Sequence, residues 1–586
     1  MHRFHVSTQI KRYSSVLSFI AILACSHAHG DIKTNFKNIE AVDSHEPITS
    51  SPDDLVVRDI YVDNQNIFNP TRPKESGFIF RLANALHIKT KVHIIEKYLL
   101  FKRGDIFSER LLDESERLLR KTRNLQDALI SYKVDGQLVD VYVATQDTWS
   151  LKPKVDYSHK GGVNKSELGI EEDNLLGLGI RTSISHLSDG ERTSKILKIN
   201  DDNLTGRWHA LGLVYADSSD GSQKSLSFAQ PFYALDTRNT YGFIYDNLDE
   251  EDIVYDYGKE QNKYRAQTQA NDFFWGWSEG LTSKGVVRHS VGLINEDNRY
   301  DALLNYVPPS DIPPIDNPAT PLIPLDLEEI YLPQNYHSFY PYYSLDFLQN
   351  KYKKVTNFER IGKTEDLYLG HKAGVQVGYG KESWGNDQER GYFEAYAEKA
   401  MLISAYNLVF FNADIKGRYA LKNNAAVGET PNDGFQNLIT SASIRYYQTQ
   451  NEHFKGYVDF YNWSTLRADK RDGLYMDPET GLRGYPLYYL SGTHLQKMSI
   501  EERFYSNIYF LQIFKLGAAV FYDIGHITGN INAEKDGIYQ DVGLGLRLSN
   551  NRSSKGDVIH IDFSYPLDIE EEERGWKLSI ESKKSF

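Results

Sequence analysis

The sequence predicts a mainly β protein: an antiparallel transmembrane β-barrel of about 16 strands, preceded by one small α+β domain. Three observations predict it. From Thr148 onward, apolar residues alternate with small or polar ones, with no sustained helical period. A targeting segment stands at the N-terminus, and no later stretch holds about 18 consecutive apolar residues, which leaves an exported soluble protein or a barrel. The chain also carries 40 Tyr, 28 Phe and 7 Trp. These residues favour strands and gather where a barrel meets lipid headgroups.

Composition narrows the function classes. At 586 residues and 40% hydrophobic content the chain can bury a large core or several domains. A net charge of -14 argues against nucleic acid as a partner. In residues 1–30, Arg3, Lys11 and Arg12 precede the apolar run Val16 to Cys25, and Ala28-His29-Gly30 offers small residues at cleavage spacing. Cys25 is the only cysteine. Cleavage after Gly30 removes it, and with it any disulfide, thiol nucleophile or zinc–thiolate site. Ile22-Leu23-Ala24-Cys25 partly imitates a lipoprotein signal.

Residues 31–53 are polar and aperiodic, and read as a linker. Residues 54–147 read as one α+β module. Leu55 to Val62 is a strand candidate. Thr90 is placed to cap a helix through Leu99, and Ser108 a second helix to about Lys121. In the second, Leu111, Leu112, Leu118 and Leu119 gather on one side, with Glu109, Glu114, Glu116 and Arg117 on the rest. Ala128 to Val134 and Leu138 to Ala144 flank the hairpin signal Asp135-Gly136-Gln137. An open sheet edge here would suit extended chains by strand addition; a spacer role is the alternative.

Residues 148–586 read as the barrel. The clearest strand is Leu516 to Gly525: Leu516, Ala518, Val520, Tyr522 and Ile524 face one way, and Gly517, Ala519, Phe521, Asp523 and Gly525 the other. Val542 to Ser549, Ile559 to Tyr565 and Trp576 to Glu581 repeat the pattern. In a membrane barrel the apolar face meets lipid and the mixed face a wet lumen. The stretch Val307 to Pro333 holds eight prolines and reads as a surface loop.

Several motifs lie in order along this region. Arg483-Gly484-Tyr485 sits in a Gly-rich loop, followed by Phe521-x-Asp523-x-Gly525 in a strand. Earlier stands Asn174-Leu175-Leu176-Gly177-Leu178-Gly179, and Glu502-Arg503 forms an acidic–basic strand pair. On these residues the chain resembles the outer-membrane protein-85 superfamily, which includes BamA, TamA and two-partner secretion transporters. Residues 54–147 resemble a single POTRA domain, with Gly104-Asp105 before its second helix. BamA-type members carry several such domains.

The resemblance implies an outer-membrane barrel of a Gram-negative bacterium that inserts or translocates polypeptides, with the POTRA-like domain in the periplasm. A secretion pore for one partner and a passive surface barrel are the alternatives. Implied partners are outer-membrane lipid, extended polypeptide clients and periplasmic chaperones; no cofactor is implied. The resemblance also implies that Arg483 pairs with Asp523 inside the lumen, with Gly484, Tyr485, Phe521 and Gly525 shaping the lock. It implies a weak seam between the first and last strands, about Thr148 to Tyr157 and Trp576 to Phe586, with Phe586 as the terminal aromatic read during assembly.

Catalysis is not expected. Gly276-Trp277-Ser278-Glu279-Gly280 matches G-x-S-x-G, but its surroundings alternate like a strand, whereas a nucleophile elbow needs a strand, a turn and a helix. The histidines do not cluster at metal-ligand spacing. Asp249-Glu250-Glu251-Asp252 reads as a solvated loop.

Overall fold

The computed structural model describes residues 55–583, apart from 70, 72–75, 257, 304–331, 357–363, 423–432, 452, 470–473, 511–513, 530–535, 550–557 and 570–573. The expected targeting segment, the linker, Phe586 and most of the proline-rich stretch lie outside the described residues.

The N-terminal unit contains β1 (Val56–Gln65), α1 (Phe78–Leu86), α2 (Val92–Glu96), α3 (Glu109–Lys121), β2 (Leu125–Asp135) and β3 (Leu138–Asp147). β3 is central, parallel to β1 and antiparallel to β2. Val139, Val141 and Val143 of β3 form the core with Val57, Ile95, Leu112 and Leu119. The hairpin falls at Asp135-Gly136-Gln137, where Gly136 takes φ 64°, a conformation that needs no Cβ.

The helices differ from the sequence reading. α2 is shorter than Thr90–Leu99, and its N-cap is Lys91. Thr90 Oγ1 instead accepts hydrogen bonds from the Asn124 and Asn174 side chains. Ser108 does stand at the N-cap of α3, but without a capping hydrogen bond from its side chain. α1 was not foreseen; its first turn holds no acidic residue that would mark a start.

The sheet edges are partly covered. Residues 104–107 pair with the start of β1, through Gly104 N to Val57 O and Phe107 N to Leu55 O. Glu116 of α3 accepts from Ile130 N on β2.

The rest is one closed antiparallel barrel. Its strands in chain order begin with β4 (Leu151–Lys160), β5 (Val163–Leu175), β6 (Ile180–Ser188), β7 (Thr193–Asp201), β8 (Ala210–Ser218) and β9 (Gly221–Gln230). Next come β10 (Asn239–Asp256), β11 (Lys259–Thr282), β12 (Gly285–Ala302) and β13 (Tyr336–Leu348). The hairpin β14 (Tyr352–Thr356) and β15 (Thr364–Tyr368) stands outside the barrel sheet. Then follow β16 (His371–Gly380), β17 (Arg390–Leu402), β18 (Asn407–Ala420), β19 (Gly434–Thr449) and β20 (Phe454–Leu466). A second small pair, β21 (Leu474–Met476) and β22 (Leu490–Gly492), precedes β23 (His494–Phe510), β24 (Phe514–Thr528), β25 (Gly537–Ser549), β26 (Val558–Pro566) and β27 (Lys577–Lys583).

The barrel therefore has 20 strands, not about 16. An even spacing misjudged the first part, where strands of 9 to 13 residues follow one another on short turns from β4 to β9. The faces follow the sequence alternation. Val520, Leu544, Leu546 and Phe563 are exposed on the outer wall, whereas Ala519, Phe521, Asp523 and Arg547 are buried inside.

Two local readings resolve differently. Gly276–Gly280 lies within β11, and Ser278 Oγ donates to Val287 O on β12 at 2.6 Å. The acidic run 249–252 is not a loop but part of β10, with cations beside it: Arg265 and Lys263 of β11 sit 2.6 Å from Asp249 and 2.6 Å from Glu251, and Arg192 of the β6–β7 turn pairs with Glu250.

Candidate functional site

The segment between β20 and β23 turns back into the barrel. Its apolar residues Leu474, Met476, Leu482, Tyr485 and Leu490 form a core with Leu495 and Ile527 of the wall. Glycines make room for it. A Cβ at Gly525 would overlap Met476 Sδ, and one at Gly484 would stand 2.9 Å from Asp541 Cβ.

That core delivers Arg483 to the wall. Its Nε donates to Asp523 Oδ2 at 2.7 Å and its Nη2 to Asp523 Oδ1 at 2.9 Å, a two-pronged fork. Asp523 is 0% exposed and Arg483 9%. The guanidinium lies 3.5 Å from the Phe521 ring centroid. Gly484 N donates to Asp541 Oδ2 at 3.1 Å. The Tyr485 hydroxyl donates to Gln540 O at 3.0 Å and accepts from Gln540 N at 3.1 Å. The six residues named for the lock thus meet at one place.

The lock is larger than the motif. Arg483 Nη1 also lies 2.8 Å from Glu501 Oε1 and 4.0 Å from Asp562 Oδ2. Arg503 Nε donates to Glu501 at 2.7 Å, and Arg547 pairs with Asp562. The sequence pair Glu502-Arg503 therefore does not act as a pair. Adjacent strand residues point to opposite faces, so Arg503 meets Glu501, two positions away, while Glu502 accepts from Gln450. Parity with Arg503 was the signal that could have found Glu501. Asp541 precedes the apolar alternation that begins at Val542, so its inward position was not read.

The tip of the loop meets the turns at the ends of other barrel strands. Leu487 N donates to Gly161 O, between β4 and β5, at 3.3 Å. Tyr488 stacks on Tyr255 at 4.4 Å and donates to Glu191 at 3.1 Å. Lys160, at the end of β4, pairs with Glu581 of β27 and lies 3.4 Å from Glu479 of the loop.

The loop thus abuts the barrel seam. Among the described residues, β27 and β4 register through one residue pair, Ile580 opposite His159. On their other sides, β4 pairs with β5 along its whole length and β27 with β26 from Lys577 to Lys583. Trp576, just before β27, is 63% exposed with Tyr565 beside it at 5.5 Å.

The early motif Asn174–Gly179 has a different task. It is the β5–β6 turn, and the N-terminal unit docks on it. Asn174 Oδ1 accepts from Gly179 N at 2.8 Å, its Nδ2 donates to Thr90 Oγ1 at 2.9 Å, and Lys91 N donates to Gly177 O at 3.0 Å. Gly177 adopts φ 76°, and a Cβ there would stand 2.5 Å from Lys89 O.

Further turns extend the dock. Asn203 donates to Lys97 O at 2.8 Å, and Leu235 N donates to Glu114 at 2.7 Å. Arg120 forks onto Asp366 of β15 at 2.8 and 3.0 Å, and Lys354 of β14 donates to Glu116 at 2.6 Å. Glu114 and Glu116, read from sequence as lying away from the leucine side of α3, are buried here. Burial pushes the Glu116 carboxyl up, but Arg120 and Lys354 outweigh it and hold it below its ordinary value. Among the described residues no group of three or more His, Cys, Asp or Glu is placed to hold a metal ion.

No family model matches the chain, and no curated protein matches it. In fold it is similar to CdiB and BamA. CdiB from Acinetobacter baumannii shares 12% identity, covering 90% of this chain and 73% of that one, with a TM-score of 0.42. CdiB from Escherichia coli shares 9%, covering 90% and 76%, with a TM-score of 0.44. BamA from Haemophilus ducreyi, lacking POTRA domains 1–3, shares 10%, covering 90% and 84%, with a TM-score of 0.34.

Proposed function

We propose that this chain is an outer-membrane barrel that inserts or translocates polypeptides through the β27–β4 seam, with the N-terminal unit acting as a periplasmic POTRA-type domain. The seam carries the reading. A strand edge with few ladder bonds exposes N–H and C=O groups that an incoming strand can pair with. Such a step uses hydrogen-bond exchange and needs no bound cofactor. Pro153 on β4 fits an edge, since proline donates no ladder bond. The Lys160–Glu581 pair closes the end of the seam nearest the loop, so the lumenal loop is placed to influence opening. Extended polypeptides are the clients on this reading, outer-membrane lipid is the medium, and periplasmic chaperones would deliver unfolded chains.

The test is a disulfide across the seam, His159→Cys with Ile580→Cys, compared with deletion of the protein. The outer membrane and the culture medium are quantified by proteomics. Broad loss of barrel proteins under oxidising conditions, reversed by reductant, is the expected result. Loss of one secreted protein would assign a dedicated pore instead. No change in either fraction upon deletion would refute insertion and leave a passive surface barrel.

A further inference from the structure

Among the described residues, α1 packs on one side. Phe80 packs with Ile67, Phe68 and Trp149. Asn84 clamps the Phe68 backbone, donating to its O at 2.7 Å and accepting from its N at 3.1 Å. Just beyond the helix, His87 Nε2 lies 2.8 Å from Asp147 Oδ2. The other side presents Phe78, Leu82 and Leu86. Four-residue spacing places them in one stripe, and they are 70%, 45% and 67% exposed. Just past the helix, Ile88 is also exposed and lies against Gly177, next to exposed Leu176. A contiguous apolar strip of this kind marks an interaction surface.

Two observations identify what covers it. The first is continuity. Trp149, which packs under α1, stands two residues before Leu151, the exposed start of β4. The outward side chains Leu168, Ile170 and Ile184 carry the same apolar wall across β5 and β6. α1 therefore sits at the rim of the barrel's outer band, beside the start of the seam strand. The second is charge. Between Phe78 and Lys91 there is no Asp or Glu, while Arg81, Lys89 and Lys91 are all exposed. An apolar stripe edged by cations is the pattern of a helix lying in a membrane interface.

We propose that α1 is an interfacial anchor, seated on the phospholipid leaflet that faces the N-terminal unit. The proposal rests on the outer-membrane reading above. The anchor fixes the N-terminal unit to the bilayer next to the seam, in addition to its dock on the barrel turns.

Depth-dependent quenching tests this on the full chain. Single cysteines are placed in a Cys25→Ser background at Phe78, Leu82, Ile184 and Gln137, labelled with a small fluorophore, and the protein is reconstituted into phosphatidylethanolamine–phosphatidylglycerol vesicles containing doxyl-acyl lipid. Ile184 reports the barrel wall; Gln137, at the exposed β2–β3 turn, reports solvent. Quenching at 78 and 82 at least half as strong as at 184, with none at 137, is the expected result. Quenching at 184 with 78 and 82 no different from 137 overturns the anchor and leaves the barrel reading standing. Absence of quenching at 184 overturns the membrane reading and the anchor with it. A protein-concentration-dependent emission shift at 78 without lipid quenching would make the stripe a protein interface and also overturns the anchor.

Discussion

Replacing Asp523 by Asn preserves shape and removes the charge that Arg483 was brought into the lumen to meet. Both groups are buried, and the fork closes at 2.7 and 2.9 Å. Breaking a buried pair from one side costs about 3–5 kcal/mol, because the remaining charge is left uncompensated. The surroundings set where each variant falls. After Asp523→Asn, Arg483 keeps Glu501 at 2.8 Å, so the cost lies near the lower end of that range. After Arg483→Gln, Asp523 and Glu501 both lose a cation, so the cost lies near the upper end.

The assay is the rate of limited proteolysis between Leu474 and Gly492 in detergent-solubilised barrel, alongside denaturant unfolding. At about 1.4 kcal/mol per tenfold, the loop-open population should rise roughly a hundredfold for Asp523→Asn and more for Arg483→Gln. The double variant should show a coupling of about 2 kcal/mol or more, at the upper end for contacting residues. Proteolysis unchanged in both single variants, with coupling under about 0.5 kcal/mol, would refute the lock. A charge swap, the test that a bare Arg–Asp pair would suggest, is a poor choice here. An Asp at 483 would add a third carboxylate beside Glu501 and Asp562, which Arg483 now faces, so the swap should fail to rescue even if the lock is real.

Three further outcomes follow from the same geometry. Gly525→Ala overlaps the buried end of Met476 and crowds Leu482, and should destabilise the loop by about 1–3 kcal/mol, whereas Gly537→Ala, with only Tyr539 at 3.7 Å, should be near neutral in the same proteolysis assay. Gly177→Ala meets both a positive φ and Lys89 O, and should broaden the distance distribution between spin labels on α3 and on the barrel wall. The α3 dock should also weaken in acid. Glu116 has its carboxyl held low in the folded state by Arg120 and Lys354, so its contribution is fully present above the ordinary glutamate value and is lost as pH falls through the lowered one. Comparison with Glu116→Gln isolates this from Asp113, Glu114 and Asp366 nearby; a variant with an unchanged acid profile in the same spin-label measurement would contradict it.

The sequence by itself determined the class of fold and the faces of its strands. Alternation has a period of two and survives any arrangement of neighbours, so the inward positions of Phe521, Asp523 and Gly525 and the outward ones of Val520 and Leu544 were legible from the chain alone. The order of the Arg483 and Asp523 motifs was legible too, as was their pairing through resemblance. Strand number was not, because short strands on tight turns and long strands with insertions share one average spacing.

Tertiary structure decided the rest. It chose Glu501 over Glu502 as the partner of Arg503, gathered Asp541, Asp562 and Arg547 around the lock, and turned the acidic side of α3 into a docking face. The Glu501–Arg503 contact was within reach of strand parity, but Gly484–Asp541 and Leu235–Glu114 join residues far apart in sequence, and local pattern cannot say which of those groups meet. The single register pair between β27 and β4 among the described residues is likewise decided only when the barrel closes, since whether two chain-distant edges pair over one residue or many depends on register around the whole cylinder.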